Sequence, residues 1–324
     1  MNDLFLILAL LAAATVRGAT PLILAALGGL FAERSGIVDI GLEGKMLASA
    51  FAAAATAAVT GSVWAGLGVG IAASVLVSLV HGFACITHHG NQVVSGMALN
   101  IALSGLTAVL GYAWFREGSQ TPLLAAGARF GPIALPGASL LSGVPGIGLI
   151  YNEVVSGHNL LVYLAAAAMP VVAWLVYRTR FGLRLRAVGE SPGAVDTAGI
   201  SVSATRYQAL VMSGVLCGLS GAYLSIAHHA SFIRDMSAGK GYLALAALIF
   251  GQWRPAPTVG ACLLFAFADA IQARLQGTPL PLVGVVPVQL IQAIPYVLTV
   301  CLLAGFVGRA VAPRAIGIPY VKER

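Results

Sequence analysis

Hydrophobic and polar positions alternate in long blocks along the whole chain, with uncharged apolar stretches recurring from Leu4 to Val307. A helix that crosses a bilayer needs about 20 mostly apolar residues. Reading the runs against their polar, Gly and Pro punctuation predicts ten helices, at 3–16, 19–32, 46–60, 63–85, 93–114, 159–177, 207–227, 241–252, 257–273 and 284–307. Two of these, 19–32 and 46–60, are too short for a straight crossing, and the Gly-rich polar stretch from Glu33 to Lys45 lies between them. A broken or re-entrant segment near residues 33–45 reconciles the lengths, because non-helical backbone is tolerated at membrane depth where protein or a water-filled cavity satisfies its polar groups. An ordinary loop, with the two helices completed by flanking small residues, fits the same pattern. The expected fold is all-α, a polytopic membrane protein of about ten transmembrane helices in which residues 1–324 form one domain.

Composition sharpens this. Only 18 Lys+Arg and 11 Asp+Glu occur in 324 residues, 9% charged, while 59% are hydrophobic. An ordinary soluble domain carries about 25% charge, so that class is excluded. The net charge of +7 lies between apolar runs without a basic tract, so it reads as topology and not as nucleic-acid binding. Cytoplasmic loops carry the excess of Lys and Arg. Placing both termini inside puts Arg34, Lys45, Arg178, Arg180, Arg184, Arg186, Arg206, Arg254, Arg309, Arg314, Lys322 and Arg324 in the cytoplasm. Arg17, Arg116, Arg129, Arg234, Lys240 and Arg274 remain outside, with the Gly/Pro-rich connection 116–158. The N-terminus has no positive region ahead of its apolar run and is expected to be the first span, retained. Cys85, Cys217, Cys262 and Cys301 sit in apolar stretches without CxxC spacing, as small buried hydrophobes do.

Candidate chemistry is sparse. Asn91, Gln92, Ser95 and Asn100 open the fifth span and share a helical face. Buried amides in a membrane are costly unless partnered, which suits either contact with a polar solute or hydrogen bonding between helices. Tyr112 and Trp114 could stack a ring or form an interfacial belt. Asp269 falls deep in a span, near Gln272 and Arg274, and Gln289 and Gln292 in the tenth span are ambiguous in the same way. The pairs His88-His89 and His228-His229 diverge on a helix, no HExxH occurs, and no metal site is expected. No nucleophile with its base, and so no catalytic constellation, is present. Gly44-Lys45 and Gly239-Lys240 lack the remaining residues of a GxxxxGK[ST] phosphate loop. Gly214, Gly218 and Gly221 permit close helix approach in the seventh span. In the basic loop 178–206, Ser191 as N-cap, Pro192 in the first turn and Gly199 as stop predict a short helix through Ala198, shaped for docking into another protein.

The stretch Ala32-Glu-Arg-Ser-Gly-Ile-Val-Asp-Ile-Gly-Leu-Glu-Gly-Lys-Met46 resembles the signature near the start of ABC importer permeases of the branched-chain amino acid, ribose and nucleoside superfamily. Segments 91–100, 186–200 and 239–255 are similar to it too, and the tail Ala312-Pro-Arg-Ala-Ile-Gly-Ile-Pro-Tyr320 is similar to the end of the nucleoside and simple-sugar subgroup. The resemblance implies a permease subunit of an ATP-driven importer in the cytoplasmic (inner) membrane of a prokaryote. Nucleosides are the implied solute, with a simple sugar or another small polar solute as the alternative. Implied partners are a separate ABC ATPase that uses the ATP, a second homologous permease, and an extracytoplasmic binding protein or lipoprotein; the chain itself binds lipid and no cofactor. By the same resemblance, Glu190, Ser191, Pro192, Gly193, Ala194, Asp196 and Gly199 would form the coupling helix on the ATPase. Asp39 and Glu43 of the signature join Asn91, Gln92, Ser95 and Asn100 as candidate pathway residues, with Asp39 standing where many subgroup members carry Asn. An ion-coupled secondary transporter would also explain short, broken spans, but it needs an ion site and few intramembrane carboxylates are present.

Overall fold

A computed structural model describes residues 2–116, 118–136, 151–276 and 311–322, with single positions at 148, 293, 297 and 300. The described residues are helical apart from connections and one isolated bridge between Ile133 and His158. In chain order the helices are α1 (Asn2–Arg34), α2 (Leu42–Thr60), α3 (Val63–Gly82), α4 (Gln92–Phe115), α5 (Leu160–Arg178), α6 (Arg180–Glu190), α7 (Pro192–Thr197), α8 (Val202–Tyr223), α9 (Lys240–Phe250) and α10 (Pro255–Leu275). Turns of π-helix extend α3 over Phe83–Thr87 and α8 over Leu224–His228. Among the described residues seven helices are long and apolar enough to cross a membrane, and α9 is a shorter apolar one. The tenth expected span, 284–307, with Gln289, Gln292 and Cys301, falls outside the described residues.

The count of ten fails at the start of the chain. The expected helices 3–16 and 19–32 are one continuous helix, α1, running through Arg17 and Gly18. Pro21 is the residue that endangers it, since proline has no N–H to bond the carbonyl four residues back. The freed Arg17 carbonyl accepts the Tyr223 hydroxyl at 2.9 Å, and the Pro21 carbonyl accepts the Ser220 hydroxyl at 2.7 Å. The Tyr223 hydroxyl thus replaces the bond that proline removes, as buried helices in lipid require, and Ser220 adds a second tie between α8 and the same turn. Arg17 therefore lies within a helix and not in an outer loop. The C-terminal segment 311–322 packs at the Arg34 end of α1, with Gly317 N–H bonding Gly36 O at 3.0 Å. The N-terminal end of α1 and the C-terminal tail are consequently at opposite ends of the bundle, where the ten-span reading expects both termini on one side.

Helices α2 and α8 form the centre. Three glycines of α8 allow it to wedge between α2 and α3: a Cβ on Gly214 or Gly218 would lie 2.7 Å from the Cα of Val75 or Ile71, and one on Gly221 would lie 2.1 Å from Met46 O. Two basic residues expected in cytoplasmic loops, Lys45 and Arg206, are buried inside this centre. The basic run after Arg178 forms α6, whose buried Gly182, Leu185, Val188 and Gly189 follow the spacing of one helical face. In the 116–158 connection, Leu124 N–H and Phe130 N–H bond Ala230 O and Ile226 O, so this segment lies along the end of α8.

Candidate functional site

Between α1 and α2, residues 35–41 are non-helical and mostly buried. Contacts with α8 fix their course. Ser35 O accepts Arg206 Nε at 3.2 Å, whereas Asp39 Oδ2 accepts the Ser213 hydroxyl at 2.9 Å. Seven residues of helix rise about 10 Å at 1.5 Å per residue, so the chain turns back into the bundle after Arg34 before α2 begins. On the other side of the site, Gly239 opens α9, whose far end reaches the Arg34 end of α1, where Arg34 Nε donates to Trp253 O at 2.8 Å and Trp253 Nε1 donates to Glu33. Helices α2 and α9 thus both start in the interior.

Their starts are tied together by the candidate residues. Glu43, in the first turn of α2, accepts Gly239 N–H at 2.8 Å and Gly241 N–H at 2.6 Å. A carboxylate placed on the unpaired N–H groups of a helix N-terminus satisfies them and complements the helix dipole. Asn100 Oδ1 accepts Gly44 N–H at 2.8 Å, and Asn100 Nδ2 donates to Ile40 O and to the Tyr242 hydroxyl, each at 2.9 Å. Gln92 Oε1 accepts Val38 N–H at 2.6 Å. His81 bridges α3 to the same strand of backbone, with one ring nitrogen 3.0 Å from Val38 O and the other 3.0 Å from Ser95 Oγ. Gln92 and Asn100 therefore bond segment 38–44 directly and Ser95 reaches it through His81, while Asn91 is exposed and caps α4 through Val93 and Val94 N–H.

The electrostatic centre is the pair Asp39 and Lys45, 2.5 Å apart with both side chains at 0% exposure. Lys45 Nζ and the Ser213 hydroxyl both donate to Asp39 Oδ2, so the buried carboxylate is paired with a cation and a neutral donor on the same oxygen. Among the described residues nothing hydrogen-bonds the buried Asp39 Oδ1 or Gln92 Nε2. Tyr112 and Trp114, for which the sequence allows either ring stacking or an interfacial belt, are exposed at the end of α4, and the aromatic hydrogen-bonded to Asn100 is Tyr242, 42% exposed. Ser104, one turn beyond Asn100 on α4, donates to Asp235 at 2.6 Å. The signal that could have found Tyr242 is its place two residues after Gly-Lys at a helix start.

The other candidates resolve differently. On α10, Asp269 is half-buried. The His228 and His229 rings meet edge to face at 4.8 Å, and among the described residues no three His, Cys, Asp or Glu side chains gather to hold a metal ion. Cys85, Cys217 and Cys262 are free and buried. Helix α7 carries Ser191 at its N-cap without a side-chain bond, and Gly199 ends the turn at φ +78°. Val195 is buried and Asp196 half-buried, whereas Gly193 and Ala194 face outward.

A polytopic helical bundle with two helices that begin in its interior, and a short exposed helix between two spans, is the architecture of a multi-span membrane protein. The chain belongs to the family of permease components of branched-chain amino acid transport systems, whose model matches residues 11–314. It is 38% identical to the guanosine ABC transporter permease protein NupQ of Bacillus subtilis, over 99% of both chains. It is 36% identical to the nucleoside ABC transporter permease protein NupC of Lactococcus lactis, over 94% of both. It is also 36% identical to a putative glucose ABC transporter permease protein, TsgC13, of Haloferax volcanii, over 93% of this chain and 92% of that one.

Proposed function

We propose that this permease imports nucleosides, driven by ATP hydrolysed in a separate ATPase subunit. The observation that carries the reading is the junction of α2 and α9, where Glu43, Asn100 and Tyr242 hold two helix starts together in the interior. Interrupted helices of this kind are how transporters place polar groups at the depth where a solute must be held. The solute would pass along the side of that junction where Tyr242 and Asp235 are exposed. Tyr242 offers a ring to stack a base, and Ser104 and Asp235 offer hydrogen bonds to hydroxyls. Asp39, Gln92 and Asn100 brace this surface from behind, and Ser95 does so through His81.

In this reading the Arg34 end of the bundle faces the cytoplasm, where Arg178, Arg180, Arg184, Arg186, Arg254, Arg314 and Lys322 fall. The C-terminal tail is then cytoplasmic and the start of α1 extracytoplasmic. Helix α7, with Gly193 and Ala194 outward, docks on the ATPase. A second permease and an extracytoplasmic binding protein complete the importer in the cytoplasmic membrane. A simple sugar is the second reading, favoured by the likeness to the putative glucose permease.

The test is co-purification of the chain with its partners, reconstitution in vesicles, and uptake of radiolabelled guanosine and glucose with and without ATP. ATP-dependent guanosine uptake supports the first reading and glucose uptake the second. A chain that purifies alone and takes up solute on an ion gradient overturns both.

A further inference from the structure

The C-terminal segment lies across the Arg34 end of the bundle and joins elements that are far apart in sequence. Ala315 N–H bonds Gly189 O at the end of α6 at 2.9 Å, and Gly317 N–H bonds Gly36 O at 3.0 Å. Arg206, 1% exposed, spans the same region from α8, donating to Ser35 O at 3.2 Å and to Ile318 O at 3.4 Å. His89 Nε2 lies 3.0 Å from Tyr320 O, and Lys322 Nζ lies 3.6 Å from Asp196 of α7. Tyr320 also packs on the buried cluster Val188, Val195 and Val202, which joins α6, α7 and α8.

One end of this segment therefore touches α7, and the middle touches the backbone that leads into Asp39. Contact at the middle is unusually close. Gly36 adopts φ +89°, and a Cβ there would lie 2.9 Å from Ala315 O and 3.1 Å from Arg206 Nη2. Backbone hydrogen bonds weaken steeply with misalignment, so a link of this sort moves with its partner. The arginine is well chosen for it, since a planar guanidinium presents several donors in fixed directions and a lysine presents a single point charge. Beside the tail lies an open cleft of about 510 Å³ bounded by Thr87, His89, Asp196, Tyr207, Tyr320 and Lys322.

We propose that residues 312–322, with Arg206 as the pivot, are the positioning element that carries movement of α7 to segment 35–41. The tail is thus a lever between the docking helix and the buried Asp39–Lys45 pair. Arg206 is a positioning residue, acting through Ser35 and the tail and not through solute. The inference rests on the reading of α7 as the helix that docks on the ATPase.

The test uses the complete reconstituted importer with guanosine as solute, comparing unmodified chain, a chain ending at Val311, and Arg206→Lys. Both variants are expected to keep assembly and ATP hydrolysis while guanosine delivered per ATP falls about tenfold, inside the 5–150-fold range usual for coupling between sites. An unchanged ratio overturns the proposal, as does a parallel fall of uptake and hydrolysis, which marks a purely structural brace. If the truncated chain does not assemble, Arg206→Lys decides by the same ratio. Failure of the transport reading is seen separately, as absence of guanosine uptake by the unmodified complex.

Discussion

The hydroxyl of Tyr223 donates to the carbonyl oxygen of Arg17 at 2.9 Å, the oxygen that Pro21 leaves without a helical partner. Leaving a buried acceptor unmade costs about 1–3 kcal/mol. Tyr223→Phe is expected to lower stability by that amount, read as the thermal midpoint of the detergent-purified protein. In a Pro21→Ala background the new N–H can bond the Arg17 carbonyl, and most of the loss should vanish. Equal losses in the two backgrounds contradict this account of why α1 is continuous.

The Asp39–Lys45 pair is wholly buried, so the two charges depend on each other. Removing one partner of such a pair costs about 3–5 kcal/mol, whereas replacing both by apolar groups of similar volume is often neutral. Asp39→Ala should therefore reduce the folded yield sharply, and Asp39→Ala with Lys45→Met should recover most of it. A double variant as poor as the single one would show that something other than the stranded ammonium is responsible.

Glu43 satisfies two amides at the start of α9. Hydrogen bonds to a charged group are worth about 1.5–3 kcal/mol, so Glu43→Ala should loosen that end. Faster amide hydrogen exchange at Gly241 and Tyr242 is the expected sign, with the far end of α9 near Phe250 little changed. Uniform exchange along α9, before and after substitution, is incompatible with a local cap.

Gly193 and Ala194 lie on the outward face of α7, and a Cβ on Gly193 meets nothing within 4 Å. Replacing both with Glu leaves the fold room to form. Loss of uptake and of ATPase recovery on purification, with normal membrane insertion, is expected. Uptake at the ordinary rate removes α7 from its docking role.

How much of this was legible depends on the range of the interaction. The long apolar runs at 63–85, 93–114, 159–177, 207–227 and 257–273 each correspond to a helix, because a bilayer-length hydrophobic stretch forces its own backbone bonding. Ser191, Pro192 and Gly199 marked α7 for the same local reason. The continuity of α1 was not legible, since the carbonyl that Pro21 frees is satisfied by Tyr223, 206 positions away. Lys45 and Arg206 read as loop charges because charge predicts topology only while it is solvated, and their partners Asp39, Ser213, Ser35 and Ile318 are assembled by packing.

By itself, then, the sequence determined that the chain is a multi-span helical membrane protein, and its motifs pointed to the permease family, because apolar run length and local punctuation act over a turn or two of helix. Only the tertiary structure decided that the chain turns back after Arg34, that α2 and α9 start beside one another, and that Asn100 braces backbone instead of standing free. Those arrangements arise from hydrogen bonds between residues 50 to 200 positions apart, where each buried polar group must find a partner that no local pattern names.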